Sequence, residues 1–300
     1  MQIYNAIPEL ESSAVALGFF DGLHPGHEAV ISAACTGGHT SAVLTIGSPQ
    51  RMSSRLLIDD DRDILLEKMG VQALIIPDFS DIKDMSGEEF FNRILMNRLN
   101  ARKITCGYNF RFGKGASCSA DELADMCMAA GVECVVVPRV ETCGDTVSSG
   151  RLRALLDEGN AAEYARVLGR RYSYKLEVVS GQRLGRKLGF PTVNQNLPEY
   201  LHLPRYGVYA SVVRTPDGKV RPGVTNIGVR PTVGSPQPLS ETWIMDYDAD
   251  IYGQHLRVEL VDFIRPEQRF GSLDALKEAI EENAEQAARL TEGITDILLP

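Results

Sequence analysis

The sequence has no apolar run near the roughly 18 consecutive residues that a membrane-spanning helix needs, so no membrane partner is expected. It has no basic excess: 31 Lys and Arg stand against 40 Asp and Glu, a net charge of -9. A general nucleic-acid binder relies on a basic field, so none is expected among its partners. Small anions remain compatible, because a few local donors can hold a phosphate on an acidic protein. Met1-Gln2-Ile3-Tyr4-Asn5 puts no basic residues ahead of an apolar stretch, so no signal peptide and a cytoplasmic location are expected. No C-x-x-C pair occurs, and the second half has no cysteine. Cys35, Cys106, Cys118, Cys127, Cys134 and Cys143 read as reduced thiols, several of them buried; a zinc site or a disulfide framework is the alternative. There is no internal repeat, no low-complexity tract and no G-x-x-x-x-G-K-[ST], so P-loop chemistry is not supported.

What is present is ordinary globular composition, 44% hydrophobic and 24% charged. At roughly 150 residues per domain, 300 residues suggest two domains. The two halves differ in pattern. Ala14–Leu17, Ala42–Ile46, Ala73–Ile76, Lys103–Cys106 and Cys134–Val137 are continuous apolar runs, separated by helix-like segments such as Asp59–Met69 and Gly87–Leu99. That alternation predicts an α/β domain with a mostly parallel, Rossmann-like sheet, whose ligands bind beyond the carboxyl ends of its strands. From about residue 172 the strands become short and closely spaced: Tyr174–Val179, Val208–Arg214, Lys219–Asn226, Glu241–Tyr247 and Leu256–Phe263. Turns fall at Thr215-Pro216-Asp217-Gly218 and Asp248-Ala249-Asp250. An antiparallel β-barrel or sandwich is expected there. A C-terminal helix follows Ser272, with Leu273, Leu276 and Ile280 at helical spacing and an acidic, solvated face. The helical pattern Arg151–Leu168 places the boundary near 168, giving domains 1–168 and 169–300.

Two stretches carry phosphate chemistry. Gly18-Phe19-Phe20-Asp21-Gly22-Leu23-His24-Pro25-Gly26-His27 follows a strand and leads into a helix expected over Glu28–Ala34. Glycines allow close backbone approach, the helix start offers unpaired N–H groups, and two imidazoles can converge on one anion. Gly107-Tyr108-Asn109-Phe110-Arg111-Phe112-Gly113-Lys114-Gly115 follows another strand, where aromatics can flank a flat ring or simply fill the core. Ser148-Ser149-Gly150-Arg151-Leu152-Arg153 opens a helix, as a plain Ser cap or a phosphate clamp. In the second half, Gly181-Gln182-Arg183-Leu184-Gly185-Arg186-Lys187-Leu188-Gly189-Phe190-Pro191-Thr192-Val193-Asn194 combines glycines, cations and two hard oxygen donors. It reads either as a flap over phosphates with Mg²⁺ ligands or as a basic surface hairpin.

These segments resemble the prokaryotic bifunctional riboflavin kinase/FAD synthetase family. The first resembles the His-x-Gly-His signature of nucleotidyltransferases. The second is similar to the family's Gly-x-Asp/Asn-Phe-x-Phe-Gly, and the third to its Ser-Ser-Thr-x-x-Arg. The fourth resembles Gly-x-x-x-Gly-x-x-Leu-Gly-Phe-Pro-Thr-x-Asn, continuing through Pro204–Ala210, Gly223–Thr232, Glu241, Asp246 and Ile251-Tyr252-Gly253. The resemblance implies two reactions, riboflavin to FMN and FMN to FAD, with ATP as co-substrate, Mg²⁺ as cofactor and flavins as substrates and products. It implies nucleotide contacts at Gly18, Phe20, Asp21, Gly22, Gly26, Ser148, Ser149, Arg153, Gly185, Arg186, Gly189 and Pro191. It implies flavin contacts at Asn109, Phe110, Arg111, Phe112, Asn226 and Arg230, metal contacts at Thr192 and Asn194, and catalytic roles for His24, His27 and Glu241. A monomer or weak homo-oligomer is expected. Two positions depart from the pattern. Thr45-Ile46-Gly47-Ser48-Pro49 stands where the family has Thr-Phe-x-x-His-Pro, and Gly150 replaces a Thr. They leave open a riboflavin kinase with altered transferase activity; a flavin-binding sensor without turnover is a further alternative. Trp243, two residues beyond Glu241, either stacks on flavin or fills the core.

Overall fold

The computed structural model describes residues 1–46, 54–142, 144–181, 185, 189–230, 237–297 and 299. Two compact units divide the chain. One comprises Met1–Arg55 and Asp59–Ser149, the other Leu56–Ile58 and Gly150–Pro300.

The first unit is an α/β layer structure. Its elements are β1 (Gln2–Tyr4), β2 (Ser13–Gly18), α1 (Pro25–Ala34), β3 (Thr40–Thr45), α2 (Asp59–Lys68), β4 (Ala73–Ile75), the short α3 (Phe79–Ile82) and α4 (Gly87–Glu89). β5 (Ala101–Gly107), the ribbon β6 (Arg111–Phe112) with β7 (Cys118–Ser119), α5 (Ala120–Ala130), β8 (Glu133–Val137) and the ribbon β9 (Glu141–Thr142) with β10 (Asp145–Thr146) complete it. A fully parallel six-stranded sheet runs β1-β4-β3-β2-β5-β8. Its central strands are apolar on both faces because both are covered. Val15, Leu17, Leu44 and Ile104 join Phe90, Leu95 and Leu123 in one core cluster. α5 is defined by a Ser119/Glu122 capping box and by Gly131 in the left-handed conformation at its end. The expected helix Gly87–Leu99 winds differently: after α4, Phe90–Arg98 forms a π-helix, closed by the Leu99 N–H donating to the Ile94 carbonyl five residues back. Side-chain periodicity does not separate the two windings. β1, one of the sheet's two edge strands, is too short and polar to show in the apolar pattern.

The second unit is the near-closed antiparallel barrel. It begins within the helix α6 (Ser149–Glu158), whose first residue still belongs to the first unit, followed by α7 (Ala161–Leu168); the two are interrupted at Gly159 and Asn160, where Asn160 caps α7. Six strands follow: β11 (Ser173–Glu177), β12 (Thr192–Asn196), β13 (Gly207–Arg214), β14 (Val220–Arg230), β15 (Gln237–Ile244) and β16 (His255–Arg265). They order as β11-β16-β13-β14-β15-β12. The ends are joined where the Val179 N–H donates to the Asn194 carbonyl and the Gln195 amide donates to the carbonyls of Leu176 and Leu256. The fully buried interior is polar as well as apolar. Thr225 donates to Ser211 at 2.7 Å and shares a hydrogen bond with Thr242 at 2.9 Å, while Tyr174 meets Ser240 at 2.7 Å. Satisfied in this way, buried hydroxyls avoid a desolvation cost of about 1–3 kcal/mol each. The amphipathic helix α8 (Leu273–Leu290), capped by Ser272, packs on β13, β14 and β16.

Candidate functional sites

In the first unit, the chain leaves β2 toward β3 and β4 on one side, while β5 and β8 lie on the other. The carboxyl ends of β2 and β5 therefore flank the point where strand order reverses, the usual ligand crevice of such sheets. The His-rich loop follows β2 and the Asn-Phe loop follows β5. Gly18 ends β2, its carbonyl accepting from the Ile46 N–H at 2.9 Å. Phe20, Gly22 and Leu23 all take positive φ, which bends the chain back within four residues. Thr45 Oγ1 donates to the Phe19 carbonyl at 3.0 Å, and Ser149 Oγ to the Asp21 carbonyl at 2.8 Å. Ser149, the last residue of the first unit, is thus tied to this loop, with Ser148 immediately before it.

α1 begins earlier than expected, at Pro25, because proline suits the first helical position and His24 serves as the cap. His24 Nδ1 accepts the His27 backbone N–H at 3.3 Å. The two imidazoles stack with centroids 3.6 Å apart and 20° between planes, and the Phe20 ring stands edge-on to His27 at 5.4 Å. Gly26 leaves this stack room: a Cβ there would lie a tight 3.1 Å from His24 Cε1. His24 is 8% exposed and Asp21 is also buried.

In the β5 loop, Asn109 is exposed, Phe110 half-buried and Phe112 buried in the core against Phe90. Phe110 stacks on Phe112 at 5.8 Å and 10°. The Arg111 guanidinium donates to its own loop, to the Ala116 carbonyl at 2.8 Å and to that of Ser117 at 3.5 Å. Arg153 lies one turn along α6, counted with the second unit. Gly47, Ser48 and Pro49 lie outside the described residues.

In the barrel, β12 was not read as a strand from the sequence. Its composition is polar, and pairing with β15 sets its conformation. Register then gathers the expected residues on one surface. Glu241 on β15 is paired with Asn194 on β12 and with Asn226 on β14. Directly paired residues share a face, with Cβ atoms roughly 4.5–5.5 Å apart. One pleat along the same face, Trp243 is paired with Thr192 and Val224. Trp243 is half-buried: it meets Phe190 edge-to-face at 4.8 Å and packs against a cluster of Val208, Ala210, Val224 and Ala287. Asn194 is 4% exposed, and its Oδ1 has no hydrogen-bond partner among the described residues. Gly181 closes over it: a Cβ there would fall 2.8 Å from Asn194 Cγ. Gly185 sits against Phe190, whose N–H donates to the Gly185 carbonyl at 2.8 Å, and Gly189 takes φ +90° in the turn before it. Pro191 and Thr192 line a cleft with Tyr247, Asp248, Asp250 and Tyr252. Arg186 and the Arg230 side chain lie outside the described residues.

Among the described residues, no group of three or more His, Cys, Asp or Glu could hold a metal. The uncommitted buried oxygen of Asn194 and the Thr192 hydroxyl beside it are the hard donors that Mg²⁺ takes when phosphates and water fill its other positions. The five described cysteines are free thiols, and burial pushes Cys106 up to about 12.

Residues 6–151 match the FAD synthetase family and residues 168–291 match the riboflavin kinase family. A Bacillus subtilis protein described as bifunctional riboflavin kinase/FMN adenylyltransferase is 30% identical over 94% of this chain and 93% of its own length. This chain belongs to that family. Relatives of the same description from Pseudomonas fluorescens, at 33% identity, and Escherichia coli, at 31%, each cover 95% of this chain and 94% of their own. A solved Streptococcus pneumoniae structure titled a macrolide-efflux protein superposes with TM-score 0.83 at 26% identity, covering 96% of this chain and 98% of that one. No helix among the described residues is long and apolar enough to cross a membrane. The chain thus carries both catalytic domains of the family in one polypeptide, with the α/β unit holding the first motif set and the barrel the second.

One residue on the barrel face was not found from the sequence. Glu267, just past β16, accepts from Asn226 Nδ2 at 3.3 Å. It belongs to no motif, and its only signal is its neighbour across 41 positions of chain.

Proposed function

We propose that the barrel phosphorylates riboflavin to FMN and the α/β unit adenylylates FMN to FAD, each with ATP. The observation that carries the reading is the row Asn194–Glu241–Asn226, which sets a carboxylate between two amides beside an uncommitted metal-type oxygen. Such a row suits an alcohol nucleophile. The riboflavin 5′-hydroxyl oxygen bonds to the γ-phosphorus of ATP as the bond to the β-phosphate bridging oxygen breaks and ADP leaves. Glu241 accepts the hydroxyl proton. Thr192 Oγ1 and Asn194 Oδ1 would hold Mg²⁺, which supplies charge neutralisation to the phosphates when bound. Pro191, Gly185, Gly189 and Arg186 belong to the nucleotide side of this site, and Asn226 and Arg230 to the flavin side.

The first unit suits an anionic nucleophile. An FMN phosphate oxygen bonds to the α-phosphorus of ATP, the bond to the β-phosphate breaks, and pyrophosphate leaves. No base is needed, because the attacking oxygen is already ionised. His24, His27 and the N-terminus of α1 stabilise charge as it develops. The loop Gly18–Gly26 with Ser148 and Ser149 receives the nucleotide. Asn109 and Phe110 receive the flavin ring, Arg111 holds the loop's shape and Phe112 backs the Phe110 ring. The division of labour is 1–168 for the transferase and 169–300 for the kinase. The free thiols suit a cytoplasmic enzyme that uses ATP.

Purified protein given riboflavin, ATP and Mg²⁺ should produce FMN and then FAD, separated chromatographically; neither product would reject the reading. One observation favours a second reading: Thr45–Pro49 lacks the family's histidine. FMN accumulation without FAD, even when FMN is supplied directly, selects a kinase with altered transferase activity.

A further inference from the structure

Glu267 lies on the barrel surface that carries the catalytic row, yet the reading above gives it no task. Its Oε1 accepts from Asn226 Nδ2 at 3.3 Å. Its carboxylate also lies directly over Gly228, two residues along β14 from Asn226, where a Cβ would fall 3.0 Å from Glu267 Cδ. Gly228 and Asn226 share that face of β14, and Asn226 is the partner of Glu241 across the β14–β15 pair. An amide that donates to a carboxylate cannot turn over, because its own oxygen would then face that carboxylate. The Asn226 oxygen is therefore held away from Glu267, available as an acceptor on the surface shared with Glu241.

From this geometry we infer that Glu267 is a positioning residue for the phosphorylation reaction: it makes Asn226 an acceptor of fixed orientation, suited to a hydroxyl of the substrate's polyol chain. Gly228 is the space that lets the carboxylate reach. The inference rests on the proposed kinase reading, and it concerns the polyol substrate, not the nucleotide.

The test uses the full-length protein. Glu267→Gln removes the charge but keeps the shape, and the new amide can donate to Asn226 and let it turn over. Riboflavin Kd, read by flavin fluorescence without ATP, and riboflavin KM should each rise about tenfold, the size of one lost hydrogen bond of this kind. The KM for ATP and the melting temperature should stay unchanged, because Glu267 is exposed and touches no described nucleotide residue. A merely structural contact would not separate the two KM values. Gly228→Ala should reproduce the riboflavin defect, and should add little in a Glu267→Ala background, where no carboxylate remains to be displaced. Unchanged riboflavin Kd in Glu267→Gln overturns the inference, as does a Gly228→Ala defect that adds fully to that of Glu267→Ala. A wild type that binds riboflavin but makes no FMN sinks the kinase reading alone, and the binding comparison still decides the role of Glu267. A wild type that does not bind riboflavin sinks both.

Discussion

Replacing Gly181 by alanine adds one methyl group over the proposed metal ligand Asn194. The new Cβ would lie 2.8 Å from Asn194 Cγ, whereas ordinary contact begins at 3.4 Å. Asn194 Nδ2 would lie closer still, so the amide must retreat by more than about 0.6 Å (3.4 − 2.8), or Gly181 must move outward by as much. Neither shift is free, since Asn194 is nearly buried and its backbone carbonyl is held by Val179. A displacement approaching 1 Å at a reacting phosphate costs about 10²-fold in rate, so Gly181→Ala should lower FMN formation by about 10- to 100-fold. The Mg²⁺ concentration needed for half-maximal FMN formation should rise. FAD formation from supplied FMN in the same preparation provides the control and should be preserved. Chromatographic product assays across a Mg²⁺ series measure all three. Wild-type FMN turnover with an unshifted Mg²⁺ dependence would refute the assignment of Asn194 as a metal ligand.

Glu241→Gln should cut FMN formation by about 10²–10⁴-fold, the contribution of a general base, while riboflavin binding remains measurable; near-normal turnover would take the base role from Glu241. His24→Ala should cut FAD formation from FMN by about 10²–10³-fold and spare FMN formation, and equal loss of both products would argue that it acts through folding. The Cys106 thiol, pushed up to about 12 by burial, keeps its proton at pH values where the unfolded chain, near 9.0, has lost it. Its contribution to stability is therefore complete below about pH 9 and falls as the pH rises toward 12, by at most about 1.4 kcal/mol per pH unit. Urea midpoints measured from pH 8 upward should decline more gently in Cys106→Ala, and parallel declines in both proteins would exclude this cause.

The α/β-then-barrel order was legible in residues close together in the sequence. Apolar runs such as Ala14–Leu17 and Ala42–Ile46 announce a doubly covered parallel sheet, because burial on both faces leaves no polar alternation. The Ser272 cap acts within a few residues of itself, so it too could be read along the chain. The motif strings that mark the two proposed phosphate sites are local for the same reason. Only tertiary structure decided what depends on pairing across long separations. The register that puts Glu241 between Asn194 and Asn226, the tie from Ser149 to Asp21 across 128 positions, and the reach of Glu267 to Asn226 are all of this kind. So is the strand character of Thr192–Asn196, a polar segment held extended by β15, and the packing of a half-buried Trp243 against Phe190. A strand's pattern states which residues share a face but not which partner lies opposite, because that choice is made by the sheet as a whole.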